Sequence, residues 1–208
     1  MKIWPDIVSF VPLVQADVQP IPKLGTHAPS FWPTPEDAKQ GAVELIYPLK
    51  EGKKSIVVFA RHLGSPFCQE TIQDMYPLAN EYRDIHFFLV SQSNDKVMEH
   101  YLENLAITKW FPLVTITTIP SPPPHTLYAT WGISQLPLRS ILSRSIRSNA
   151  KKRGKEKGIK NTKIHGSRRL NSGAFAMDEV GKVVWSHVAE SADDVSDLKA
   201  AVAALKAR

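Results

Sequence analysis

The side chain with the most chemistry to offer in this 208-residue sequence is its single cysteine, Cys68. It ends the run Arg61-His62-Leu63-Gly64-Ser65-Pro66-Phe67-Cys68, which follows a continuous apolar stretch at 55–60. Beyond it, Ile72, Met75, Leu78 and Ala79 recur at helical spacing. A buried strand that turns directly into a helix leaves the turn at the helix N-terminus. Unpaired N–H groups and the helix dipole favour negative charge there. The pattern therefore predicts Cys68 in the first turn of a helix, partly accessible, with a pKa drawn below the free value of about 8.5. A small apolar residue on the helix's buried face is the competing reading. Position at the junction favours the reactive thiol.

The neighbours fit that chemistry. Arg61, on the strand-to-turn boundary, adds positive charge and can orient a peroxide or carboxylate. Ser65, three residues before the cysteine, can bond the sulfur or an incoming oxygen, and Pro66 stiffens the first helical turn. His62 reads either as a group tuning the thiolate or as an exposed loop histidine. One cysteine excludes an intrachain disulfide, a multi-cysteine zinc site and a dithiol. His125 and His187 show no ligand spacing, so no metal is expected. Tyr128 and Trp131 read as core. Asp193 and Asp194 read as the acidic start of the last helix.

The elements that must position the cysteine are legible around it. The run at 55–60 (SIVVFA) suits a strand buried on both faces, and 86–90 (HFFLV) is a second. The helix after Cys68 lies between them, and residues 96–105 read as another, with Val97, Tyr101 and Leu105 on one stripe. Strand, helix, strand, helix is the rhythm of a parallel sheet. Apolar residues at 110–119 precede a proline break, and 125–131 reads as a short helix ended by Gly132. Residues 173–177 and 182–185 flank Asp178-Glu179-Val180-Gly181, a hairpin signal expected to run antiparallel to the central strands. An Ala-rich helix at 195–205 follows.

Hydrophobic residues make up 43% and charged residues 22%, enough for a real core. No apolar run approaches a membrane span, and the start does not read as a signal peptide, so the cytoplasm is the expected compartment. The net charge of +6 hides an asymmetry. Residues 139–169 hold twelve Lys and Arg against one acid, Glu156, while the rest carries 14 bases and 19 acids. Leu138, Ile141, Leu142 and Ile146 predict one helical stripe at its start, with Arg139, Arg144 and Arg147 on the wet side. Residues 151–163 read as a mobile, like-charged loop. Binding of a polyanion is one reading of this segment, a solubilising insertion the other.

The run IVVFARHLGSPFCQETIQDM resembles the active-site strand, loop and helix of thioredoxin-fold proteins of the AhpC/TSA type, in particular the peroxiredoxin-like 2 group. GTHAPSF at 25–31 resembles a peroxiredoxin opening, LYATWGI at 127–133 a family helix, and Gly173 to His187 its G-x-F-x-x-D-x-x-G-x-V-x-x-x-H hairpin. Ser65-x-x-Cys68 stands where that group has a dithiol, and is similar to the Thr/Ser-x-x-Cys of true peroxiredoxins. The resemblance implies an α/β, thioredoxin-like central mixed sheet flanked by helices at 25–208, behind an extension at 1–24 and with a basic insertion at about 139–169. It implies Cys68, Ser65 and Arg61 as catalytic residues. His62, Pro66, Phe67 and Arg168 or Arg169, standing in for the family's late arginine, would line the substrate.

The expected function is a one-cysteine thiol oxidoreductase reducing a peroxide or related electrophile. It would need no bound cofactor, but an external thiol such as glutathione or thioredoxin must resolve the oxidised sulfur. A second copy of the chain is a further candidate partner. The alternative is a redox-inactive thioredoxin-fold protein that binds or converts a small metabolite.

Overall fold

The computed structural model describes residues 17–30, 45–49, 52–93, 95–105, 107, 113–117, 126–159 and 166–207. The apolar run before the cysteine forms β1 (Lys54–Phe59), and HFFLV lies within β2 (Ile85–Ser91). Between them runs α1 (Pro66–Glu81). There follow α2 (Asp95–Asn104), β3 (Leu113–Thr117), α3 (Thr126–Thr130), α4 (Arg139–Leu142) and α5 (Arg144–Lys157). The hairpin strands β4 (Gly173–Met177) and β5 (Val183–Val188) and the helix α6 (Leu198–Lys206) complete the described elements. Expectations for residues 1–16, 31–44, 118–125 with His125, and the basic stretch 160–165 lie outside the described residues.

The five strands share a sheet in the order β3-β2-β1-β4-β5. β1 pairs parallel with β2, placing Val57 beside Phe88, and β2 pairs parallel with β3. β4 runs antiparallel to β1, with Phe175 opposite Val57, and β5 antiparallel to β4. This is the mixed sheet that the sequence pattern predicts.

β1 sits between β2 and β4 and is covered on both faces, so its residues are apolar without alternation. Ile56 and Val58 face a core supplied by Ile72, Met75 and Ala79 of α1, Met98 and Leu102 of α2, and Ala201, Val202 and Leu205 of α6. The α2 stripe is rotated from the predicted one: Met98, Tyr101 and Leu102 are buried, while Val97 and Leu105 are only partly so. Val57 and Phe59 face a second core of Tyr128, Trp131 and Phe175. Phe59 and Trp131 lie 5.5 Å apart between ring centroids, and Trp131 and Phe175 4.9 Å. The Tyr128 hydroxyl donates to the carbonyls of Ala60 (2.7 Å) and Val90 (3.2 Å), which ties down the ends of both central strands.

Three expectations need correction. Residues 151–157 are helical, not a loop. Ser143 caps α5 by accepting from the Ile146 amide, and Gly158 ends it with φ 67°, a left-handed conformation suited to glycine. Packing removes the expected repulsion, because Arg153 and Lys157 are drawn to Glu70 of α1. The single apolar stripe is also broken. Ser143 separates α4 from α5, so Ile141 and Ile146 are buried while Leu138 and Leu142 are 46% and 41% exposed. Finally, Asp193 and Asp194 lie in the loop before α6, whose cap is Asp197, accepting from the amides of Lys199 and Ala200.

Candidate active site

Cys68 is the third residue of α1, after Pro66 at the helix start and Ser65 at its N-cap. Proline suits that first position because its missing N–H would have no helical partner. The turn from β1 sets these residues beyond the carboxyl ends of β1 and β2, where parallel pairing on one side of β1 gives way to antiparallel pairing on the other. Such crevices are where open α/β sheets bind ligands.

The geometry gathers charge around the sulfur. Backbone hydrogen bonds from Arg61 and His62 reach Cys68. The Arg61 guanidinium donates to Ser65 Oγ at 3.3 Å through Nη2 and to the Arg168 carbonyl at 2.9 Å through Nη1. The Ser65 hydroxyl therefore faces Arg61 as an acceptor. Arg168 meets Arg61 through its main chain, and the Arg169 carbonyl accepts from the Leu136 amide at 2.7 Å. Gln92, at the end of β2, locks this loop. Its amide nitrogen donates to the carbonyls of Arg61 and Ser167, and its oxygen accepts from the Ser167 amide at 2.8 Å. Gly166 makes room for that clamp: with φ 95°, any Cβ there would stand 2.4 Å from the Gln92 side chain.

Burial overturns three expectations. Cys68 is 7% exposed, not partly accessible, and joins the core beneath α1. Its thiol is pushed up to about 11 by burial, against the pull of Arg61 and of the Arg61 and His62 amides. The helix N-terminus does not lower the pKa, because loss of solvation outweighs the local field. His62 is 5% exposed, not an exposed loop residue. Its Nδ1 lies 3.1 Å from the Leu63 carbonyl, which can only accept, so Nδ1 carries the proton. Burial, with Arg61 and Arg168 alongside, holds its pKa down to about 3, so the ring is neutral near pH 7. Burial also lowers Arg61 to about 10, with Cys68 raising it and Arg168 lowering it. The guanidinium stays charged.

The sulfur is nevertheless not closed in on every side. Cys68, Arg61, Ser65, Phe67 and Thr71 line a cavity of about 20 Å³ together with Gly173, Ala192, Asp194 and Ser196. That is roughly the room one water requires. Phe67 packs with Ile141, Ile146 and Ala192, so α4 and α5 roof the first turn of α1. Two residues past the cysteine, Glu70 accepts from Arg153 at 2.6 Å and Lys157 at 2.8 Å, and Arg153 lies over the Phe67 ring. Burial acts to raise the Glu70 pKa, but the bonds from Lys157 and Arg153 hold it below the ordinary value.

Gln92, Glu70, Asp194 and Ser196 are site residues that reading the sequence missed. The polar Ser91-Gln92-Ser93 directly after an apolar strand was the available signal for Gln92, since strand ends in such sheets point at the site. Nothing local marks the others: Glu70 sits on α1 itself and is picked out only by its partners on α5, and Asp194 and Ser196 arrive from the distant loop before α6. Among the described residues no group of three or more His, Cys, Asp or Glu is placed to hold a metal ion, and no helix is long and apolar enough to cross a membrane.

No family model and no curated protein matches the sequence. Solved structures do. A thiol peroxidase from Chromobacterium violaceum superposes with a TM-score of 0.57 at 10% identity, over 93% of this chain and 91% of that one. A peroxiredoxin-like protein from Aquifex aeolicus gives 0.56 at 13% identity, over 91% and 90%. The peroxidoxin BcpB of Mycobacterium tuberculosis gives 0.52 at 16% identity, over 89% and 97%. The chain thus has the thioredoxin-like α/β fold of peroxiredoxins, and its chemistry has to be argued from its own residues.

Proposed function

We propose that this chain is a one-cysteine thiol oxidoreductase of the peroxiredoxin-like, AhpC/TSA type, which reduces a small peroxide through Cys68. The observation that carries the reading is the cavity that the only thiol shares with a buried guanidinium, beside two amides directed at its sulfur. A thiolate there attacks one peroxide oxygen. The S–O bond forms as the O–O bond breaks, and the departing alkoxide or hydroxide takes up a proton. Sulfur is oxidised by two electrons to a sulfenic acid, and the peroxide is reduced to alcohol or water. Arg61, held by Ser65 and the Arg168 carbonyl, stabilises both the thiolate and the charge on the leaving oxygen. The cavity's volume suits hydrogen peroxide better than a bulky hydroperoxide.

This sequence carries no second cysteine, so an external thiol restores the sulfur. Glutathione or thioredoxin attacks the sulfenic acid, water leaves, and a second thiol breaks the mixed disulfide. Of the residues expected at the substrate, Phe67 lines the cavity, while His62, Pro66, Arg168 and Arg169 stand outside its lining. One observation favours the other reading, a redox-inactive binder of a small metabolite: burial raises the thiol pKa.

Intact-mass spectrometry after titration with hydrogen peroxide and a sulfenic-acid trap separates the two. The oxidoreductase gives one trapped adduct, at Cys68, at low peroxide. A thiol no more readily trapped than free cysteine supports the binder.

A further inference from the structure

Two residues that line the cavity of Cys68, Asp194 and Ser196, belong to a hydrogen-bonded trio that the reaction above does not use. His187, on β5, lies with Nε2 3.1 Å from Asp194 Oδ1 and Nδ1 3.0 Å from Ser196 Oγ. Asp194 is fixed in turn, since its Oδ2 accepts the Glu190 amide at 2.9 Å. The His187 and Asp194 side chains are each about 30% exposed, and Trp185 stacks on the imidazole at 24° between ring planes. A carboxylate only accepts, so Nε2–H points to Asp194 and the other ring nitrogen, Nδ1, meets Ser196. In the tautomer that leaves Nδ1 bare, Ser196 donates to it. Carboxylate, imidazole and hydroxyl stand in the order in which acid–base sites activate a proton-bearing group, and Ser196 and Asp194 both line the cavity of Cys68.

We propose that Ser196, His187 and Asp194 form the proton relay of the Cys68 cavity. This rests on the peroxide reading for its purpose, although the relay itself concerns only the thiol proton. The S–H bond breaks and its proton moves to Ser196 Oγ, directly or across the single water the cavity has room for. Ser196 passes its own proton to His187 Nδ1. The result is a thiolate and an imidazolium, the latter held by Asp194. When the O–O bond breaks, the same path returns that proton to the departing oxygen. His187 and Asp194 act through Ser196 and are positioning residues. Asp194 is the titratable group in contact with the imidazole, and Arg61 is the cation facing the sulfur. The relay gives a buried thiol a base that the first turn of α1 does not provide.

The test is the pH profile of Cys68 alkylation by iodoacetamide, which needs no peroxide. A thiol that hands its proton to an internal base reacts at a rate nearly independent of pH, because no proton leaves the protein. The full chain should rise far less steeply than direct ionisation between pH 6.5 and 8.5. His187→Gln and Ser196→Ala should instead follow direct ionisation, rising about 100-fold over the same two units. Ser196→Thr keeps the hydroxyl and should keep the flat profile. Ser196→Ala removes one oxygen from a partly buried side chain, so the test survives even if His187→Gln does not fold. Parallel profiles in all four proteins, or a wild-type thiol that is not alkylated, overturn the relay. A flat wild-type profile with no acceleration toward peroxide keeps the relay and defeats the peroxide reading.

Discussion

His62 makes the fold acid-sensitive in a way that can be worked out beforehand. Its ring is 5% exposed and its pKa is held at about 3, whereas an unfolded chain protonates histidine near 6.5. Between those values the unfolded state binds the extra proton, so stability rises with pH. His62's contribution is complete above pH 6.5 and is lost as the pH falls toward 3. Lowering the pH from 7 to 4 therefore removes about 3 kcal/mol. That is a large share of the 5–15 kcal/mol typical of a domain. The perturbation is His62→Asn, whose amide can still donate to the Leu63 carbonyl but does not titrate. Urea unfolding at pH 7 and pH 4, in both proteins, isolates the term. Carboxylates such as Glu70 titrate alike in both and cancel, as does any fixed cost of the substitution. Wild type should lose about 3 kcal/mol more than the variant. Equal losses, within roughly 0.5 kcal/mol, would refute the claim that His62 is buried in its neutral form.

Two further outcomes follow from the basic helix. Glu70→Gln leaves Arg153 and Lys157 without their carboxylate and should cost about 2 kcal/mol, an intermediate figure because both cations keep some solvent. Trypsin cleavage within residues 151–157 should accelerate at least tenfold, and an unchanged rate would show that α5 is held by its apolar contacts alone. On the opposite side of α5, Arg144, Arg147, Lys151 and Lys155 form an exposed ridge spaced three and four residues apart over about 16 Å. If the segment binds a polyanion, replacing these four with Gln should abolish salt-dependent retention on heparin. Arg153→Gln with Lys157→Gln should leave most of it. Retention unaffected by the first set, or absent in wild type, assigns α5 a structural role only.

The path from strand to turn to helix was legible because burial on two faces and helical periodicity are local properties. They located Cys68, Arg61 and Ser65 together. What sequence could not supply was depth. Whether the N-terminus of α1 faces solvent or a roof depends on Ile141 and Ile146, more than seventy residues away. That roof makes the thiol a weak acid and His62 a neutral core residue. The charge run at 151–157 misled for the same reason. Like charges repel in an isolated segment, but Glu70 turns two of them into anchors. The trio at His187 was hidden because its members meet only after β5 turns back toward α6, although the hairpin pattern ending in His187 was visible.

The central claim is that this site favours peroxide attack in particular. It is tested most directly by the ratio of two second-order rate constants at Cys68, one for hydrogen peroxide and one for iodoacetamide. Thiol ionisation affects both reactions and divides out, and the comparison with Arg61→Met separates charge stabilisation from the cavity's easier access for the smaller peroxide. Charge stabilisation of the departing oxygen by Arg61 and the two amides affects only the peroxide. One well-placed donor is worth on the order of 100-fold, so the ratio should exceed that of free cysteine by at least about 100 and fall toward it in Arg61→Met. A ratio equal to that of free cysteine, unmoved by Arg61→Met, would contradict the account.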